Sequence, residues 1–428
     1  MNPKALKIVM LSYHNQNGGA GIACGRLATA LKNVGHEVTY LVQEKTGVDA
    51  AVSVNDSLLK KGIAWLRFIL ERLYFLPHEK DKSIRFLFNP GVFGQDLSQH
   101  PSIQSADIIH LHWMNFGFMG ISDISKLLKL GKPVIWTLHD MWAFTGGCHH
   151  SGDCNRFQIN CGQCKFVKQP EHWDISHKLW AKKAVGFDSN NLKIITCSEW
   201  LKEKAAASTI LYSRDITHIP NAIDIQVFKP GNKEQAREKL GLDPQKTYVL
   251  FVAMRVNAPA KGFDYLSKAL EIWAQNNPTR IAQTELLIVG GLTDTEIIHS
   301  LPLKVNAIGH ISDPHQMIEI YRAADLFITP SLEENLPNTI MEAMACGTPS
   351  IGFNTGGIPE MIAHKKNGYV AQKLDSNDLA TGIHWLLENL ATASIEARQF
   401  VENNYSEDII SQKHVDFYLK SIQDVSQN

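Results

Sequence analysis

The chain of 428 residues has no surplus of charge of either sign, with 42 lysines and arginines against 43 aspartates and glutamates and a formal net charge of −1. Without a strong positive field, nucleic acid is not expected as a main partner. Cysteine is scarce. The seven (Cys24, Cys148, Cys154, Cys161, Cys164, Cys197 and Cys346) form an odd, unevenly spread set that argues against an oxidised framework and makes the cytosol the expected compartment. Long apolar runs are missing as well: near the start, the run behind Lys7 reaches Tyr13 and His14 within a few residues, too short for a signal peptide or a membrane span. Low-complexity segments and short tandem repeats are absent, and the composition excludes collagen and disorder. With 44% hydrophobic residues and about 150 residues per domain, two or three globular domains are expected.

What is present is alternation. Lys7 to Tyr13, Glu37 to Val42, Asp107 to Leu111, Val134 to Leu138 and Lys193 to Cys197 read as β-strands, with helical patterns such as Gly21 to Val34 between several of them. The pattern restarts with Tyr248 to Met254, Glu285 to Val289, Val305 to Ile308, Asp325 to Thr329 and Pro349 to Phe353. Such alternation implies an α/β protein of two Rossmann-like, doubly wound parallel-sheet domains in tandem. Turn-rich residues 218–231 suit a hinge. We therefore expect an N-terminal domain over 1–224, a second domain over 225–406, and a last helix over 407–428 that packs across the junction. In open parallel sheets ligands bind beyond the carboxyl ends of the strands, so two units facing across a cleft would put the chemistry between them.

The most informative segment runs from Pro330 to Pro349. It leaves an apolar strand through a short loop holding Glu334 and enters a helix holding Glu342. A carboxylate accepts two hydrogen bonds from vicinal hydroxyls, and a helix N-terminus offers N–H donors to phosphate oxygens, so one ligand with sugar hydroxyls at both ends and phosphates between would satisfy both. The bland alternative is a loop charge and a solvated helix residue. Arg255 at a strand end and Lys261-Gly262 before a helical stretch are placed to neutralise a diphosphate, although single cations are common on surfaces. Gly290-Gly291 and Gly356-Gly357 add close backbone approaches, or simply turns.

Arg255 with Lys261-Gly262, the spacing of Glu334 and Glu342, the run Glu342-Ala-Met-Ala-Cys-Gly-Thr-Pro349 and Gly356-Gly357-Ile-Pro-Glu360 together resemble the retaining glycosyltransferase family 4, of GT-B architecture. The resemblance covers most of the second half and implies a nucleoside diphosphate sugar donor. Arg255 and Lys261 would hold the diphosphate, Glu342 the ribose and Glu334 the transferred sugar, while the backbone of His310 and Ile311 would meet the base. The family often has Gly-x-Gly after the first Glu, whereas this chain has Asn335-Leu336-Pro337. Because Pro337 lacks an N–H, a backbone contact there must move to Leu336, Asn338 or the Asn335 side chain.

In the first half, Asn17-Gly18-Gly19-Ala20-Gly21 follows the first strand and opens a helix, a loop that lets backbone approach a phosphate or forms only a tight turn. The resemblance places Gly18 and Gly19 near the donor phosphates. His139 ends an apolar strand within Thr-Leu-His139-Asp140, which matches the family's Thr-x-His-Asp, so a contact to transferred sugar or acceptor is implied against the alternative of a structural histidine. The catalytic set is thus His139, Arg255, Lys261 and Glu334. His14, His112, Trp113, Asp140 and Trp142 form the expected acceptor-binding set, with His110 and Phe144 adding polar and aromatic surface.

Cys148, Cys154, Cys161 and Cys164, flanked by His149 and His150, suggest a structural zinc that pins a long loop, the alternative being reduced thiols that merely fill it. Lys60, Lys61, Arg67 and Arg72 alternate with Trp65, Leu66, Phe68, Ile69, Leu73, Tyr74 and Phe75. This stretch, within 58–76, is either a basic amphipathic helix at the inner face of an anionic membrane, near lipid-linked acceptors, or a helix packed on its own domain.

The implied chemistry is departure of a nucleoside diphosphate from an anomeric carbon, with Arg255, Lys261 and a helix N-terminus absorbing the developing charge. No Asp-x-Asp pair occurs, so no bound Mg²⁺ and no other cofactor is demanded for catalysis. The resemblance implies retention of configuration and points to cell-surface polysaccharide assembly on a glycan or lipid-linked acceptor. Two rival readings share these features: a nucleotide-sugar 2-epimerase, and a non-catalytic carbohydrate-binding protein of the same fold.

Overall fold

A computed structural model describes residues 5–47, 50–292 and 296–426. The chain divides into two compact units, residues 1–222 with 410–428, and residues 223–409.

The first unit is built on seven strands, β1 (Lys7–His14), β2 (Glu37–Glu44), β3 (Val52–Ser53), β4 (Ile108–Leu111), β5 (Val134–Leu138), β6 (Leu192–Thr196) and β7 (Ile216–His218), in the order β3-β2-β1-β4-β5-β6-β7. Every pairing is parallel, for example Met10 with Tyr40 and with His110. The central strands are apolar along their whole length because helices cover both faces, and β4 and β5 are buried at every position. Strand order reverses between β1 and β4, which opens a crevice at their carboxyl ends. Helix α1 (Gly18–Asn33) starts beside it, burying Cys24, Leu27 and Leu31. Gly21 is obligatory in this turn, since a Cβ there would lie 2.7 Å from the His14 carbonyl oxygen. The helix Glu407–Ser426 belongs to this unit from Ile410 on, its Tyr418 hydroxyl 2.7 Å from His110 Nδ1 and Asp424 paired with Lys193 at 3.0 Å.

The second unit repeats the plan with β8 (Thr247–Arg255), β9 (Thr284–Gly291), β10 (Lys304–Gly309), β11 (Leu326–Thr329), β12 (Ser350–Phe353) and β13 (Gly368–Ala371), ordered β10-β9-β8-β11-β12-β13 and parallel throughout. Its core gathers Val249, Phe251, Leu266, Trp273, Ile288, Ile328 and Ile351. At the amino end of the sheet, Asp325 receives Lys233, Arg237 and the Tyr248 N–H, each at 2.7 Å. The sheet's charged anchor and its open carboxyl edge thus lie at opposite ends of the same strands.

The expected strands form, with ends displaced by a residue or two. Three strands escape the sequence pattern, β3, β7 and β13: β3 has two residues and β7 three, too short to show a period, and β13, four residues long, opens on a glycine at the sheet edge.

Candidate active site

In the second unit the reversal of strand order falls between β8 and β11, and the motif residues gather at that carboxyl edge. Strand β8 delivers Arg255, whose exposed side chain makes no ion pair among the described residues. The chain then turns through Pro259–Lys261 and passes Gly262, which has φ 68° and lies so near the loop after β11 that a Cβ would sit 1.9 Å from the Pro330 carbonyl oxygen. Only glycine permits that contact. Just beyond, the Leu332 N–H donates to the Ala260 carbonyl at 2.8 Å, and Lys261 Nζ meets Glu334 Oε2 at 2.7 Å, the side chains 35% and 21% exposed. The expected diphosphate cation and the expected sugar-binding carboxylate are therefore ion-paired.

Glu342 lies in the helix Asn338–Ala345 and is buried, its Oε2 accepting from the Tyr321 hydroxyl at 2.8 Å. Tyr321 went unseen in the sequence because it sits twenty-one positions earlier on another helix, with no local pattern tying it to Glu342. Pro337 is the N-cap of the Glu342 helix, a place where a missing N–H costs nothing. Asn335, Leu336 and Asn338 are all buried, and the Gly357 N–H donates to the Asn335 carbonyl at 2.7 Å. Gly356, at φ 55°, leaves room for only 1.7 Å between a built Cβ and the Glu334 carbonyl oxygen, so the glycine pair after β12 locks the backbone of Glu334. His310, exposed, and Ile311, half-buried, follow Gly309 at the end of β10 on the same edge.

In the first unit the strand-end histidines form a chain. His112, after β4, has Nδ1 3.0 Å from His139 Nε2, and His139 Nδ1 lies 3.5 Å from Cys197 Sγ. Burial drives the His112 pKa well below 6.5 and lowers that of His139 to about 4, with Asp140 opposing, so both rings are neutral at neutral pH. Asp140 accepts from Trp113 Nε1 at 2.9 Å and from the Trp142 N–H at 2.8 Å, and its Oδ2 is 2.7 Å from His149 Nδ1. Burial alone would raise the Asp140 carboxyl, yet His149, the Trp142 N–H and the nearby His150 hold it at about 2. His14 ends β1 3.5 Å from Glu44. Gly18 starts α1 at φ 71°, and Gly19 follows in its first turn.

Three residues are corrected: Phe144, expected to add aromatic surface, is completely buried in the core of the first unit. Trp142 is not an acceptor-facing ring: it is 1% exposed, its Nε1 donating to the Asn89 carbonyl at 2.7 Å and its ring lying under the Lys183 ammonium at 3.7 Å. His110 is likewise a core residue, held by Tyr418 and by Thr137 Oγ1 at 2.7 Å. His110 lies within the fully buried strand β4 and Trp142 in the short turn after β5, places where a periodic pattern does not fix which way a side chain points.

Cys148 and Cys161 are buried, Cys154 and Cys164 half-buried, and all four are free thiols. Among the described residues no three histidine, cysteine or acidic side chains are gathered closely enough to hold a metal ion. Among the same residues no helix is long and apolar enough to cross a membrane.

Comparison with known proteins accounts for both units. Residues 17–227 match the family model of Glycosyltransferase Family 4 and residues 232–407 that of Glycosyl transferases group 1. A D-inositol 3-phosphate glycosyltransferase 2 of Catenulispora acidiphila is 27% identical over 406 residues, covering 89% of this chain and 87% of that one. A D-inositol 3-phosphate glycosyltransferase of Segniliparus rotundus is 33% identical over 276 residues, 61% of this chain and 54% of the relative. Among solved structures, a glycosyltransferase of Rickettsia africae superimposes with TM-score 0.63 at 18% identity over 98% of this chain and 99% of that one. Anabaena HepE, solved in complex with UDP, gives 0.62 at 17% over 97% and 100%. Both structures share the two-unit GT-B fold.

Proposed function

Because the chain belongs to the group 1, family 4 glycosyltransferases, we propose that it transfers a sugar from a nucleoside diphosphate donor, bound by the second unit, to a glycan or lipid-linked acceptor with retention at the anomeric carbon. The observation that carries this reading is the Lys261–Glu334 pair at the β8/β11 switch point, with Arg255 at the end of β8. A diphosphate arriving there meets two cations already held at a strand edge, and the negative charge that grows on it as the glycosidic bond breaks is stabilised most in the transition state. Glu334, released from or shared with Lys261, accepts sugar hydroxyls, and Glu342, fixed by Tyr321, accepts ribose hydroxyls. His139 is neutral and so serves as a hydrogen-bond partner to the sugar or acceptor rather than as a charge.

Helix α2 (Leu58–Phe75) supports an acceptor at an anionic lipid surface, in cell-surface polysaccharide assembly. It buries Ala64, Glu71 and Phe75 while Leu58 (87%), Leu59 (75%) and Trp65 (64%) stand exposed beside Lys61. The names of the curated relatives add a polyol phosphate to the acceptors worth trying.

The test is calorimetric titration of the full chain with uridine and guanosine diphosphates, followed by a nucleoside diphosphate release assay over a panel of their sugars with glycan, lipid and polyol phosphate acceptors. Saturable nucleotide binding and acceptor-dependent release are expected. Binding of neither nucleotide would end the proposal, and release of an epimerised free nucleotide sugar would replace it.

A further inference from the structure

We propose that one water molecule, bound by His112 and His414, completes a hydrogen-bonded chain from the last helix to His139, and that His414 is thereby a positioning residue for the candidate site. Its bearing on sugar transfer rests on the function proposed above; the water itself does not.

Two ring nitrogens carry the inference. His112 Nε2 and His414 Nδ1 are closed off from solvent and have no hydrogen-bond partner among the described residues, on side chains only 4% and 2% exposed. Both residues line the same cavity of the first unit, against Ala23 and Leu27 of α1, with Thr137 and Asn221 as its other polar side chains. The space suits a single water. His110 packs against both rings, its centroid 4.3 Å from that of His112 and 5.6 Å from that of His414, but its own nitrogens are taken by Tyr418 and Thr137. It can therefore satisfy neither neighbour. An unpaired nitrogen buried this deeply is costly, and a water held by two to four polar groups is the usual remedy.

The consequence reaches the candidate site through the placement of protons. Burial keeps His112 and His414 neutral, so each ring has one N–H donor and one lone pair. His112 Nδ1 lies 3.0 Å from His139 Nε2, and one of the two must bear the proton. A water that donates to His112 Nε2 puts the His112 proton on Nδ1, which then donates to His139 Nε2 and leaves the His139 proton on Nδ1. A water that accepts from His112 Nε2 reverses every bond. His139 Nδ1 is otherwise 3.5 Å from Cys197 Sγ, a weak partner that a hydroxyl can replace. The orientation of the water, fixed by His414 on the helix Glu407–Ser426, thus decides whether His139 meets a hydroxyl as donor or as acceptor.

The test compares the native chain with His414→Leu, which removes the polar atom, and His414→Asn, whose amide reaches the place of Nδ1. High-resolution crystal structures should show one water within hydrogen-bonding distance of His112 Nε2 and residue 414 in the native and Asn chains, and none in the Leu chain. Nitrogen-15 NMR of histidine-labelled protein should find His112 and His139 each in one neutral tautomer in the first two and in a mixture in the third. Acceptor-dependent nucleoside diphosphate release should fall about tenfold in kcat/KM for His414→Leu and recover in His414→Asn, with nucleotide binding equal in all three. No water in the native chain, native tautomers in His414→Leu, or equal loss of activity in both variants would overturn the proposal. Absence of release with every donor would sink the proposed function alone, since the water and the tautomers would still decide this inference.

Discussion

Lys261 and Glu334 form one ion pair that, under the proposed function, would serve two ligands in turn. Both are partly exposed, so their attraction is screened and contributes little to stability; in the proposed function they are two ligand-binding groups stored against each other. Lys261→Ala should therefore leave the urea midpoint nearly unchanged while lowering kcat/KM for the donor by about 10² to 10³, measured as nucleoside diphosphate release. A midpoint that collapsed with activity would assign the pair to the fold instead. Tyr321→Phe removes one hydrogen bond to the buried Glu342, and donor KM should rise several-fold with a stability loss of about 1 kcal/mol. Gly356 is a stricter case, since its backbone is left-handed and a Cβ would overlap the Glu334 carbonyl. Gly356→Ala should cost at least about 1–3 kcal/mol in chemical denaturation, and a neutral result would show that the loop can move aside.

At the scale of elements, helix α2 is held at few points. Glu71, completely buried, accepts from the Val92 and Phe93 N–H groups, the latter at 2.8 Å, and Phe75 stacks on Phe88 with centroids 4.6 Å apart. Arg72 is clamped by Glu79 at 2.7 Å. These contacts secure one narrow face and leave Leu66, Leu73 and Tyr74 facing water as well. Replacing Trp65 and Leu66 together by serine should weaken binding to anionic vesicles about tenfold or more, at roughly 25 cal/mol for each Å² withdrawn from lipid, without altering the fold in circular dichroism. Equal flotation of variant and native chain would remove the membrane from the account. Both possibilities for this helix were legible from its sequence, and the tertiary structure reveals which residues remain uncovered.

At the scale of the whole molecule, the first unit stakes its stability on neutral imidazoles. His110, His112 and His414 are all nearly inaccessible, and burial lowers each, His414 to about 3. The unfolded chain takes up protons near pH 6.5 and the folded chain does not, so this stability is present above that pH and is lost as pH falls below it, by up to about 1.4 kcal/mol per pH unit for each ring. The urea midpoint of the first unit's transition should drop between about pH 7 and about pH 5; a flat profile would mean that the histidines ionise in place.

The order of strands and helices, the doubling of the α/β plan and the motif cations and carboxylates were set by local sequence, because strand periodicity, glycine at close approaches and charge at strand ends are short-range properties. Tertiary structure alone decided that Lys261 meets Glu334, that Tyr321 braces Glu342, that Trp142 and His110 turn into the core, and that the last helix returns to the first unit. Each of those outcomes joins residues far apart in the chain, where packing rather than any local pattern chooses the partner.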